Sequence, residues 1–108
     1  MTQLDIVERR DGDRLVVAVA GPVNSYTYTD FQEKVSKALA AHPLVVVDME
    51  KVTTLSSAGI GVLMAALDEA EAEGKRIVVL RPSEIARLAL DSTGFGERFP
   101  VAQNIRDL

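Results

Sequence analysis

The chain has 108 residues, a formal net charge of −4, 47% hydrophobic residues and 26% charged ones. That length suits one domain of roughly 100–200 residues, and the mixture supports a packed core and argues against disorder. Each half carries 8 acidic and 6 basic side chains, so bulk charge marks out no nucleic-acid or membrane-surface binder, and the absence of cysteine removes disulfides, thiolate zinc sites and cysteine nucleophiles.

Leu4 to Arg10 alternates weakly and breaks at Asp11-Gly12-Asp13, a hairpin-type turn signal. Arg14 to Ala20 is Val-rich and reads as a buried strand, which Gly21-Pro22 is expected to end because proline cannot donate to a sheet ladder. Phe31, Val35, Ala38, Leu39 and His42 fall at helical spacing. Thr29-x-x-Gln32 fits a capping box, with Ser25 and Thr27 as alternative starts, and Pro43 stops the helix. Leu44 to Asp48 reads as a central strand, followed by a loop.

Residues 56–73 form the second helix, with Ile60, Leu63, Met64, Leu67 and Ala70 on one apolar stripe and Asp68, Glu69, Glu71 and Glu73 facing elsewhere. Gly74 marks its stop, with Lys75-Arg76 placed to meet the negative end of its dipole. Ile77 to Leu80 is a short strand. Pro82-Ser83 introduces a third helix with Ile85, Leu88 and Ala89 inward and Gly94 past its end. Phe95 to Leu108 reads as a loop with a short strand near residues 99–101 and a last helical turn.

This order predicts a single α/β domain over residues 1–108. Its mixed sheet has four or five strands, an N-terminal hairpin plus parallel strands joined by right-handed crossovers, with three to four helices. No uninterrupted apolar run exceeds that from Leu15 to Ala20, short of the roughly 18 residues a membrane span needs. The first five residues lack the basic and apolar regions of a signal peptide, so a cytoplasmic domain is expected.

Chemistry is sparse. His42 is the one histidine and no carboxylates fall at metal-ligand spacing, so no metal site, cofactor or enzyme activity is expected; a triad hydrolase built on Ser57 would have no base except His42. Gly59-x-Gly61 lacks the third glycine and the lysine of a phosphate-cradling loop. Arg81, Arg87 and Arg98 read as scattered surface charges more readily than as an anion patch.

The junction from Asp48 to Gly61 stands out, with Ser56 and Ser57 at the start of an amphipathic helix. One serine is explained as an N-cap, and the small residues at 57–61 by close packing. A hydroxyl there is also a phosphorylation candidate, since a phosphate meets free N–H groups and the helix dipole while adding charge to the surface.

Across the whole chain the sequence resembles the STAS family, the sulfate transporter and anti-sigma factor antagonist fold. The Gly21 turn, the Val-rich strand to Asp48, Val52, Ser57-x-Gly59-Ile60-Gly61, the stretch from Pro82 to Leu88 and Gly94 carry the likeness. The resemblance implies an anti-sigma factor antagonist that binds an anti-sigma factor serine kinase and so frees a sigma factor. Phosphorylation at the start of the second helix would block binding, and a PP2C-type phosphatase would restore it. The family's usual acceptor falls on Ala58, which cannot take phosphate, and its aspartate falls on Ser56. Ser57 is therefore the expected acceptor and Ser56 the second choice.

The implied partner surface comprises Asn24, Thr54, Ser56, Ser57, Ala58, Gly59 and Gly61, with Tyr26 and Tyr28 beside it. Exposed edge strands permit a weak homodimer. The alternative is an accessory domain of a transport or ligand-sensing assembly without a phosphoswitch.

Overall fold

In the computed structural model, which describes residues 3–94 and 97–108, Gly12 and Asp13 close a two-residue hairpin between β1 (Asp5–Asp11) and β2 (Arg14–Val23). Gly12 takes a φ of 65°, a left-handed conformation that costs glycine little. Then follow α1 (Tyr28–Ala41), β3 (Leu44–Leu55), α2 (Ser57–Ala72), β4 (Arg76–Leu80), α3 (Glu84–Ser92), the two-residue β5 (Val101–Ala102) and a 3₁₀ turn at Ile105–Asp107. Phe95, where the terminal loop was expected to begin, lies outside the described residues.

The five strands lie in chain order, with β1 antiparallel to β2 and every other pair parallel. Because each crossover advances in the same direction, right-handed connections place all three helices on one face. Val17, Val19, Val45, Val47, Ile77 and Val79 point into that face and meet Phe31, Leu39, Leu63, Ala86 and Leu90. Val16, Val46, Val78 and Leu80 point the other way, under Ile105 and Leu108 of the C-terminal segment.

Two strands run further than their sequence suggests. β2 continues through Gly21-Pro22 to Val23, and β3 continues from Asp48 to Leu55, so Val52 is a buried strand residue and not part of a loop. The cause is the pairing between them. Ala18 faces Asp48 and Ala20 faces Lys51, two steps on β2 against three on β3. Gly21 then faces Val52 and Pro22 faces Thr54, one step against two. Each extra β3 residue is a bulge. Burial in this half of β3 therefore falls on Met49, Val52 and Leu55, a spacing of three that no period-2 pattern detects.

The helices also correct the sequence expectations in detail. α1 starts at Tyr28 with Thr27, one of the alternative starts, as its N-cap residue, so Thr29 and Gln32 lie inside it and form no capping box. α2 ends in a Schellman arrangement at Gly74 (φ 68°), where Lys75 N donates to Ala70 O at 2.8 Å and Gly74 N to Glu71 O at 3.3 Å. The Lys75 ammonium does not serve α2; it donates to the Leu39 and Ala40 carbonyls and so closes the last turn of α1. His42 is the C-cap of α1, half-buried, with its N–H on Ala38 O at 3.0 Å.

On α3, Ala86 and Leu90 face inward and Ala89 packs partly against the core, whereas Ile85 and Leu88 face solvent. Ser83 fixes that rotation. Its Oγ accepts from Ala86 N at 3.1 Å and donates to Val52 O at 2.7 Å, tying the helix start to β3. A small residue at 86 then lets the helix lie close on the sheet.

Candidate functional site

The site begins where two long strands end side by side. Val23 closes β2 and Leu55 closes β3, and Ser56 N donates to Val23 O at 2.9 Å. This bond sets the start of α2 against the loop that leads into α1. Ser56 occupies the N-cap in an extended conformation (φ −83°, ψ 174°), and its carbonyl accepts the first helical bond from Ile60 N at 3.0 Å. Its side chain makes no cap bond. The hydroxyl oxygen is buried and has no hydrogen-bond partner among the described residues, although it belongs to a residue that is only half-buried overall.

The next two turns divide cleanly. Ser57 is exposed at the first helical position, Ala58 is half-buried, Gly59 is buried and Gly61 is exposed. The N–H groups of residues 57–59 have no carbonyl one turn back to bond, as at any helix start. A methyl group at Gly59 would stand 2.6 Å from Val23 Cγ1 and 2.7 Å from Leu55 Cδ1, so any larger residue would have to push these two side chains aside for the helix to sit on the strand ends. A methyl group at Gly61 would meet nothing within 4 Å among the described residues. Gly61 thus has no packing reason inside the chain, while a mid-helix glycine costs about 0.5–1 kcal/mol relative to alanine.

The loop beside α2 is built by its own side chains. Asn24 Oδ1 accepts from Tyr26 N at 2.9 Å and Thr27 N at 3.2 Å, and the Thr27 hydroxyl donates to Pro22 O at 2.8 Å. The loop is therefore held without a cap bond to α1, and Tyr26 projects from it with 93% of its surface exposed. Thr54, exposed on β3, is in register with Pro22 of the same strand end. Asn24, Tyr26, Thr54, Ser57 and Gly61 all come from this end of the fold, whereas Ser56 Oγ and Gly59 lie beneath its surface.

Sequence reasoning missed Val23, whose carbonyl tethers the start of α2 to β2, and the hydroxyl lock of Thr27 on Pro22 within the loop. The Asn24-x-x-Thr27 spacing was a usable signal for the lock, since an asparagine side chain accepts from the N–H groups two and three residues on.

Charges elsewhere form local pairs. Arg81 holds Asp48 at 3.1 Å and Glu50 at 3.2 Å, and Arg98 holds Asp68 at 2.9 Å and Glu71 at 3.7 Å. They are structural partners of carboxylates and do not gather into an anion patch with Arg87. Among the described residues, no group of three or more histidine and carboxylate side chains is assembled to hold a metal, and no helix is long and apolar enough to cross a membrane.

The STAS domain model matches residues 5–108. The chain belongs to the STAS domain family. Solved structures of similar shape include an anti-sigma factor antagonist from Mycobacterium paratuberculosis, 22% identical with a TM-score of 0.87 over 97% of this chain and 90% of that one. A putative anti-sigma factor antagonist from Thermotoga maritima is 15% identical with a TM-score of 0.86, over 94% of this chain and 89% of that one. The phosphorylated form of the Bacillus cell fate determinant SpoIIAA is 20% identical with a TM-score of 0.70, over 99% of this chain and 95% of that one. The five-stranded mixed sheet with its three helices is accordingly the STAS fold.

Proposed function

We propose that this STAS domain is an anti-sigma factor antagonist, a non-enzymatic cytoplasmic regulator that binds an anti-sigma factor with serine kinase activity and releases a sigma factor. Its docking surface is the end of the fold formed by Asn24, Tyr26, Thr54, Ser57, Ala58 and Gly61. The observation that carries this reading is Ser57: a hydroxyl exposed in the first turn of α2, on a face with a glycine that the chain's own packing does not need. The likeness to antagonists, one of them solved in a phosphorylated form, supports it.

Accessibility ranks the two serines. A kinase must reach the hydroxyl, and Ser56 Oγ is enclosed beneath the helix start. Ser57 is therefore the acceptor. A phosphate there would add about −1.5 to −2 charge at a surface that a partner must desolvate, so the complex is lost unless the partner supplies a matching cation. Removal of the phosphate by a PP2C-type phosphatase would restore binding.

The test pairs the chain with a candidate anti-sigma factor serine kinase and ATP, followed by intact mass and peptide mapping. One added phosphate on Ser57 is expected, with loss of co-purification; Ser57→Ala should bind constitutively and Ser57→Asp should not bind. Failure of the unphosphorylated chain to bind the kinase overturns the reading.

A further inference from the structure

The two edges of the sheet differ. β5 spans two residues, and the C-terminal segment that follows it covers the adjoining sheet face. β1 runs for seven residues in unbroken register with β2 and pairs with no other strand among the described residues. A long regular edge of this kind offers its unpaired backbone groups to another chain.

The hairpin decides which groups are free. A two-residue turn is closed by a pair that exchanges both backbone bonds, here Asp11 and Arg14, and bonded pairs alternate from there. Asp5, Val7, Arg9 and Asp11 therefore bond to β2, while the N–H and C=O groups of Ile6, Glu8 and Arg10 point to the open edge. On the helix-free side of the strand, Val7 is 64% exposed and stands midway between Asp5 and Arg9. Neither of these two forms an ion pair among the described residues.

A second copy related by a two-fold axis through the sheet lies antiparallel along this edge, and every contact off the axis then occurs twice. The bonding pattern admits only registers that set even-numbered residues opposite each other, because those carry the free groups. Pairing centred on Glu8 sets Glu8 against Glu8 and Asp5 against Asp11. Pairing centred on Arg9 or Arg10 sets that arginine against itself, and pairing centred on Ile6 matches no charges. Pairing centred on Val7 sets Asp5 of each copy against Arg9 of the other, and no like charges stand opposite each other along the strand.

We propose that β1 is a homodimer edge, at which two copies join antiparallel about Val7 into one continuous sheet. Ile6 of each copy exchanges backbone bonds with Glu8 of the other. The two Val7 side chains meet as a non-bonded pair, with Cα atoms about 4.5 Å apart, between the two Asp5–Arg9 pairs. A single strand of seven residues spans only about 23 Å at about 3.3 Å per residue. That is too little for an interface burying roughly 1,200–2,000 Å², so the dimer is concentration-dependent. The inference rests on β1 alone, and its failure leaves the proposed antagonist function untouched.

Sedimentation velocity from micromolar to millimolar protein tests it. The unmodified chain should move from monomer toward dimer. Asp5→Arg and Arg9→Asp should each weaken association about tenfold or more, by setting like charges opposite each other, with unchanged circular dichroism. An equal mixture of these two variants should associate, since each then meets its opposite charge in the other. Glu8→Pro, which removes a donor facing the edge and no bond to β2, should also stay monomeric. The chain contains no cysteine, so engineered thiols report register cleanly. Val7→Cys should cross-link to itself several times faster than Val101→Cys on the opposite edge strand. Monomer at every concentration, a variant mixture no more associated than its components, a dimer indifferent to Glu8→Pro, or Val7→Cys cross-linking no faster than Val101→Cys would each overturn the proposal.

Discussion

Two helices of this fold begin at a serine, and the two serines are used in opposite ways. Ser83 at α3 is fully engaged, accepting from Ala86 N and donating to Val52 O, so that one hydroxyl caps the helix and anchors it to β3. Ser56 at α2 takes the same position in its helix but leaves its hydroxyl oxygen buried and unbonded. The α3 start is built for stability. The α2 start gives up stability at Ser56 and again at Gly61, and both sacrifices fall at the end of the fold where the docking surface is proposed.

The contrast is tested most severely by the residue that holds the α2 start in place. Gly59→Val should destabilise the domain by up to about 3 kcal/mol, because the branched side chain must displace Val23 and Leu55; denaturant unfolding measures it. Ser83→Ala should cost about 2 kcal/mol, through loss of a cap bond and of a donor to a buried strand carbonyl. An unchanged midpoint for Ser83→Ala would erase the difference between the two serines.

Smaller effects are expected with the opposite sign at the α2 start. Gly61→Ala should stabilise by about 0.5–1 kcal/mol while weakening capture of the proposed kinase partner, a separation of stability from binding that a purely structural glycine would not give. Ser56→Ala should be neutral or stabilising by about 0.5 kcal/mol, since the cap bond that alanine usually forfeits is not made here and an unsatisfied hydroxyl is removed. A loss of 1 kcal/mol or more would show that Ser56 is bonded in solution after all.

Most of the architecture was legible because the strongest signals were local. The Val-rich runs of β2, β3 and β4, the Asp-Gly hairpin and the apolar stripes of α1 and α2 all follow from periodicity and turn chemistry. What escaped depends on contacts between distant residues. The second half of β3 hid behind its bulges, whose spacing only β2 determines. The inward face of α3 was misassigned because hydrophobicity favoured Ile85 and Leu88, while the Ser83 tether turns Ala86 and Leu90 inward.

At the candidate site the pattern is similar. The two adjacent serines were visible in the sequence, but which hydroxyl is enclosed and which is open depends on how Val23 and Leu55 seat the helix. The same holds for the glycines, identical in the sequence and separated only by what a methyl group at each would touch.

The bulged half of β3 has a consequence for anyone moving this helix start into another scaffold. With two residues beyond those β2 accounts for, residues 49–55 act as a phase setting that decides at which angle the chain enters α2. Deleting one of them would remove a bulge and, because side chains alternate along a strand, turn the residues between the deletion and α2 to opposite faces of the sheet, moving Ser57 away from where it now stands. A graft of Ser56–Gly61 must therefore bring the preceding seven residues and the matching edge of β2 with it.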